Sequence, residues 1–323
     1  MKSTVLKQTI KLNDSLIQPI LYKLEHLSQE LGSNIWCLRD DLTAPVFGGN
    51  KTRKLDYLVA DAISVRATCL IAYGGQQSNF CALAAAYGSK YKLKTTLVFP
   101  GTKPPILTGN LKLCELFGAN MQFIETEDIN NLHKFAEIIS VNLNAMGERP
   151  YFMPLGGSNS IGIRAYVDLV FDIKQIALQQ KVWFNKTYVA AGSCGTVAGL
   201  CIGNSLNDLV LGEIIGISVL SDTENVLSNM KILTDNFLAR NEISIRGFDF
   251  NATDSFKGSH YGAKTPEAEE AQAIFAQTEG ILLDLVYTAK AGAAIIHACR
   301  KNNFSTSENI LFVHTGGKGS FFE

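Results

Sequence analysis

The chain has little charge, and what it has is balanced. Charged residues make up 18% of 323 positions, with 29 Lys and Arg against 30 Asp and Glu. That balance lacks the basic surplus expected of a nucleic-acid or anionic-lipid binder, so neither partner is expected. Cysteine pairs of CxxC spacing are missing. The seven cysteines, at 37, 69, 81, 114, 194, 201 and 299, stand apart in apolar segments. This pattern predicts reduced, buried thiols rather than a disulfide framework or a zinc site. The histidines show no HExxH pattern and no clustering, and there is no GxSxG elbow. Metal catalysis and a hydrolase triad of that type are therefore unsupported, and no metal is expected. The opening segment MKSTVLKQTIKLNDS has no apolar signal core, which predicts a cytoplasmic protein. Unbroken apolar runs of membrane length are also missing. Segments 67–89 and 187–207 lack charge, but the loops GGQQSN and GSCGT interrupt them. Loop backbone is not tolerated in lipid, so each segment reads as a buried strand, a tight loop and a helix.

What is present is apolar material, 46% of the chain, enough for a large core. At about 150 residues per domain the length suggests roughly two domains. Short apolar runs at 35–38, 69–72, 95–99, 121–124, 188–190, 214–219 and 310–313 read as strands. Helical patterns lie between them at 52–64, 79–91, 110–117, 130–146, 161–176, 197–204, 225–237, 266–279 and 290–301. This alternation predicts an α/β fold of mostly parallel sheets covered by helices on both faces. About four strand–helix units fall near 55–155. The division expected is a small domain, 55–155, inserted into a larger one, 1–54 and 156–323.

Glycine clusters sit at predicted strand ends, where ligands bind in open α/β sheets. In TYVAAGSCGTVAGL a strand runs into Gly192, Ser193, Cys194, Gly195 and Thr196, and a helix starts at once. Successive N–H groups and two hydroxyls at a helix N-terminus suit a phosphate dianion. The spacing is neither GxGxxG nor a Walker loop, and an ordinary strand-to-helix turn fits the same residues. Lys51, in GGNKTRKL, opens a helix, where the positive dipole end favours the neutral amine used in Schiff-base chemistry. Taken alone it also reads as a surface lysine. Lys54, one turn on, reads as a solvated partner for Asp56 or a nearby acid. Ser78 is a good N-cap for the helix beginning at Asn79. Tyr261 and Tyr287 read as half-buried aromatics.

Taken together, LRDDLTAPVFGGNKTRKLDYL, GGQQSNF, PLGGSNSIG, AAGSCGTVAGL, DLVYTAKA and LFVHTGGKG resemble, in that order, the D-cysteine desulfhydrase and 1-aminocyclopropane-1-carboxylate deaminase family. The resemblance runs from about residue 36 to the C-terminus, and GGNKTRKL is its most diagnostic segment. It implies the tryptophan-synthase-β-like fold (fold type II), with two open twisted sheets and pyridoxal 5'-phosphate in the interdomain cleft. It implies that Lys51 bonds to the cofactor aldehyde, Asn79 to the phenolic oxygen, and the turn from Gly192 through Ser193, Cys194 and Gly195 to Thr196 to the phosphate. Thr315 matches a hydroxyl residue near the pyridine nitrogen. Ser78, Tyr287 and Tyr261 match side chains around a small amino-acid substrate. A homodimer is common among similar proteins.

Two positions separate the branches. Ring-opening deaminases resemble Tyr-Glu where this chain has Tyr287-Thr288, and a threonine is no carboxylate acid or base near neutral pH. The VYTAKA segment resembles the desulfhydrase pattern. Phe80 departs from both branches, which usually carry His or Gln there; it either packs beside the cofactor or makes the pocket more apolar. The expectation is elimination from D-cysteine, or a similar β-substituted D-amino acid, giving pyruvate, ammonia and a thiol. The alternatives are the ring-opening deaminase and a cofactor-bearing protein without turnover.

Overall fold

A computed structural model describes residues 9–12, 18–44, 46, 48–126, 128–245, 248–301, 304–305 and 307–317. Most of the N-terminal segment read for a signal core lies outside the described residues, as do Pro45, Phe47, Lys318 and Gly319 of the motif segments.

In chain order the elements are β1 (Leu21–Lys23), α1 (Glu25–Leu31), β2 (Asn34–Arg39), α2 (Asn50–Ser64), β3 (Cys69–Tyr73), α3 (Asn79–Tyr91) and β4 (Lys94–Pro100). Then come α4 (Gly109–Leu116), β5 (Asn120–Ile124), α5 (Ile129–Ala145), β6 (Pro150–Phe152), α6 (Ser160–Gln180), β7 (Lys186–Ala191) and α7 (Gly195–Leu206). The last are β8 (Glu213–Ser218), α8 (Thr223–Asn241), β9 (Asn251–Thr253), α9 (Pro266–Glu279), α10 (Thr288–Arg300) and β10 (Asn309–His314).

The strands form two sheets, one of six in the order β1-β2-β10-β7-β8-β9 and one of four in the order β5-β4-β3-β6. Only the β1–β2 pair is antiparallel; the other pairs run parallel. The expected α/β class and the two mostly parallel sheets are therefore present.

Alternation along single strands shows how the sheets are covered. In β10, Leu311 and Val313 join the core under α6, α7 and α8, while Ile310 and Phe312 join the core under α1, α9 and α10. In β3, Leu70 and Ala72 face α2, α3 and α4, while Ile71 and Tyr73 face α5. Successive strand residues point to opposite faces, so a strand buried on both sides reads as a continuous apolar run. Helix α2 joins the two cores: Leu55, Leu58 and Val59 pack in the small-sheet core, while Tyr57 packs in the large-sheet core and donates to Asp168 on α6 at 2.6 Å.

The unpredicted elements are β1, β6 and β9, each of three residues, and α1, of seven. All seven cysteines are buried and free, as expected. Among the described residues no helix is long and apolar enough to cross a membrane, and no cluster of His, Cys, Asp and Glu could hold a metal.

Candidate active site in the cleft between the sheets

Strand ends of both sheets open onto one cavity of about 560 Å³. Gly74 and Gly75 after β3 and Pro100 ending β4 contribute from the small sheet; Gly192 after β7 and Thr315 after β10 contribute from the large one. Every sequence-predicted site residue except Gly195 lines this cavity; Gly195 is in the same loop, buried as the first residue of α7.

Lys51 lies in the first turn of α2, which opens two residues earlier than the pattern suggested. Its Nζ donates to Asn50 Oδ1 at 3.1 Å. Burial lowers its pKa to about 8, partly opposed by the charge of Asp284. The leading cause is therefore desolvation, not the helix dipole invoked from sequence. The turn before it is tightly built. Gly49 has φ +99°, and a Cβ there would fall 2.7 Å from the Thr315 carbonyl oxygen. The Gly49 N–H donates to the Asp40 carbonyl at 3.0 Å. Asp40 is fully buried and accepts from Arg53 Nε at 2.6 Å and from the Tyr166 hydroxyl.

The loop 192–196 carries the anion-binding features. Cys194 has φ +62°, a left-handed conformation that costs a non-glycine residue about 1–2 kcal/mol. Successive N–H groups in such a turn form a concave nest, and those opening α7 have no carbonyl of a preceding helical turn to bond. Asn50 Nδ2 donates to Thr196 Oγ1 at 3.0 Å, and Ser193 and Ser158 exchange a hydrogen bond at 2.8 Å. A Cβ on Gly195 would come within 2.4 Å of Ser158 Oγ and 2.9 Å of Lys54 Nζ.

Lys54 corrects the sequence reading. It is completely buried, and its Nζ donates to the Gly156 carbonyl at 3.2 Å and Ser158 Oγ at 3.1 Å. Asp56 is engaged elsewhere, accepting from the Tyr87 hydroxyl at 2.6 Å. Burial first, and the nearby Lys51 second, push the Lys54 pKa well down. A buried amine whose bonded partners are neutral oxygens, beside a nest of N–H donors, is suited to a phosphate dianion. The residues thus fit that group on grounds independent of motif. Lys54 shares a helix face with Lys51 through i, i+3 spacing, the sequence signal that could have revealed it.

The remaining residues complete the walls. Ser78 Oγ accepts the Cys81 N–H at 3.2 Å, so it is the N-cap expected. Asn79 Oδ1 accepts from Asn110 Nδ2 at 2.9 Å, and the same Asn110 amide donates to the Gln77 carbonyl at 2.9 Å. This pairing commits the Asn79 oxygen and leaves its NH₂ as the donor end. Tyr261 and Tyr287 join through their hydroxyls, and burial raises the Tyr287 pKa well above that of free tyrosine. Asp284, also buried, accepts the Tyr287 N–H at 2.9 Å and the Thr288 N–H at 3.0 Å, fixing the start of α10. Thr288 is fully buried and spends its hydroxyl on Asp284 at 2.7 Å. Phe80 is 1% exposed. It belongs to the small-sheet core, with its ring edge 2.9 Å from where a Gly157 Cβ would lie.

These features define an α/β protein with an anion nest and a depressed-pKa lysine in one cleft. The family profile for pyridoxal-phosphate dependent enzymes matches residues 15–316. Over 310 residues the chain is 34% identical to D-cysteine desulfhydrase of Klebsiella pneumoniae (strain 342), covering 94% of this chain and 92% of the relative. The Serratia proteamaculans (strain 568) enzyme of the same name is 33% identical over 311 residues, with the same coverages. The crystal structure of an ACC deaminase homologue superposes with a TM-score of 0.90 at 33% identity, covering 98% of this chain and 94% of that one. The chain belongs to the pyridoxal-phosphate dependent enzyme family, and its cofactor is pyridoxal phosphate.

Proposed function

We propose that the cleft eliminates the β-substituent of a D-amino acid, with D-cysteine as the reference substrate and pyruvate, ammonia and thiol as products. Lys51 would hold the cofactor aldehyde, and its amine is the base that would take the Cα proton. The loop from Gly192 to Thr196 would hold the phosphate, with the Lys54 amine buried behind it on Gly156 and Ser158. The Asn79 NH₂ donates to the phenolic oxygen, its direction set by Asn110. Bound pyridoxal phosphate supplies the electron sink for the Cα electron pair. Thr315 offers the pyridine nitrogen a neutral hydroxyl, which holds a proton there less firmly than a carboxylate does. Such a partner would suit rapid loss of a leaving group. Ser78, Tyr287 and Tyr261 face the substrate and orient it or pass its protons.

The observation that carries this reading is Lys51 in the cavity with a pKa near 8, in the same cleft as the anion nest. A Lys51 amine lowered to about 8 has a far larger neutral fraction near neutral pH than an ordinary lysine, and that fraction can act as a base. The ring-opening alternative fares worse, because Thr288 is buried against Asp284 rather than facing the cavity. Phe80 both packs in the small-sheet core and lines the cavity, a place beside the cofactor that needs no loss of turnover to account for it.

In this reading residues 55–155 act as the small domain and the flanking segments as the large one, although the 54/55 boundary cuts α2. The reading also includes a cytoplasmic homodimer, supported by family likeness alone, and sedimentation equilibrium tests the dimer. The decisive assay offers D-cysteine, L-cysteine and 1-aminocyclopropane-1-carboxylate to the holoenzyme and measures keto acid. Turnover of D-cysteine, lost in Lys51→Ala together with the long-wavelength cofactor absorbance, is the expected result. 2-Oxobutyrate from the cyclopropane substrate as the main product would overturn it.

A further inference from the structure

The cavity mouth carries an apolar side chain on each wall, beside the polar Ser221, His260 and Tyr261. Ile129 and Leu220 both line the cavity and remain 37% and 41% exposed, which places them at its opening. They come from opposite walls: Ile129 begins α5 against the small sheet, and Leu220 follows β8 of the large one. Leu132, Pro100 and Leu155 extend the apolar surface. Among the described residues that line the cavity, Lys51 is the one lysine, and there is no arginine, aspartate or glutamate. A cationic group at the far end of a substrate would meet no carboxylate here, and an anionic one no arginine and no lysine besides Lys51. A bare thiol would leave the leucine and isoleucine faces uncovered.

We propose that this site takes D-amino acids whose β-sulfur carries an apolar alkyl or aryl group, bound between Ile129 and Leu220. The inference rests on the elimination reading and names its substrate class. The Cα–H, Cβ–S and Cα–N bonds break; the sulfur leaves with its electron pair and gains a proton, Cβ gains a proton to become the methyl group, the nitrogen leaves as ammonium, and water supplies the keto oxygen. One S-substituted D-cysteine and one water give one thiol, one pyruvate and one ammonium. Each added methylene in an apolar pocket is worth on the order of tenfold in specificity.

The test compares D-cysteine with S-benzyl-D-cysteine on the holoenzyme, following pyruvate and the released thiol. The expected kcat/KM for the thioether is at least about tenfold the higher. Leu220→Ser and Ile129→Ser, checked for unchanged melting temperature, each lower the ratio of the two kcat/KM values by about tenfold. As a binding readout, D-norleucine perturbs the cofactor absorbance of wild-type enzyme at least about tenfold below the concentration needed for D-alanine. Turnover of D-cysteine with the thioether no better, or a ratio indifferent to both substitutions, overturns the inference and leaves the elimination reading standing. Failure with both substrates overturns both.

Discussion

Lys51 has given up part of its affinity for a proton through its position alone. Its pKa stands at about 8 instead of the ordinary 10.5. The neutral amine, the form that attacks an aldehyde, therefore accumulates as pH rises through about 8. Cofactor-free protein mixed with pyridoxal phosphate should rebind it at a rate that climbs with pH to a half-maximum near 8; a midpoint near 10 would contradict the burial. The stability sign follows from the same shift. Between about 8 and 10.5 the unfolded chain holds a proton that the folded chain has released, so folding gains stability as pH rises across that window and carries the full penalty below it. A second residue-scale prediction concerns Tyr166. Its hydroxyl is bonded to the buried Asp40 carboxylate behind the Lys51 turn. Tyr166→Phe removes a hydrogen bond to a charged group and should lower unfolding free energy by about 1.5–3 kcal/mol, measured in urea.

Loop 192–196 and the first turn of α2 form one unit at the scale of elements. Asn50 ties them, reaching Thr196 with its side chain, the Thr315 carbonyl with its N–H at 2.9 Å, and Lys51 with its Oδ1. Gly195→Ala would drive a methyl into Ser158 and Lys54, so cofactor affinity should fall at least about tenfold, about 1.4 kcal/mol, in an absorbance titration. Far-ultraviolet circular dichroism should stay unchanged. Long, doubly buried strands were legible in the sequence because both faces are apolar. The three-residue strands β1, β6 and β9 were not, since so short a run shows no period. Within the site, the glycine turns and Lys51 stood out by composition. Lys54 did not: its i, i+3 spacing from Lys51 places it on the same helix face, but its burial comes from a distant segment around Gly156 and Ser158. Asn110 escaped for a similar reason: it meets Asn79 only because α4 packs against α3.

For the molecule as a whole, the buried thiols offer a test of packing. Six of the seven cysteines are at most 5% exposed and Cys201 is 6% exposed. Burial raises the thiol pKa, to about 12 for Cys81 and Cys201, which suppresses the reactive thiolate. Native protein should react slowly with a thiol-specific chromogenic disulfide, and denatured protein should release all seven equivalents at once; rapid native reaction of several would contradict the packing. The order of strands also governs how the polypeptide is made. β10 is the last of the described strands in chain order, yet it stands between β2 and β7, at the middle of the six-stranded sheet. During synthesis the small sheet, complete by residue 152, is free to assemble early, while β2 waits on the ribosome with one edge unpaired until the final segment emerges. The same strand delivers Thr315, so a nascent chain that stops short of it lacks both its central seam and one wall of the cleft, and vitamin loading must wait for that strand.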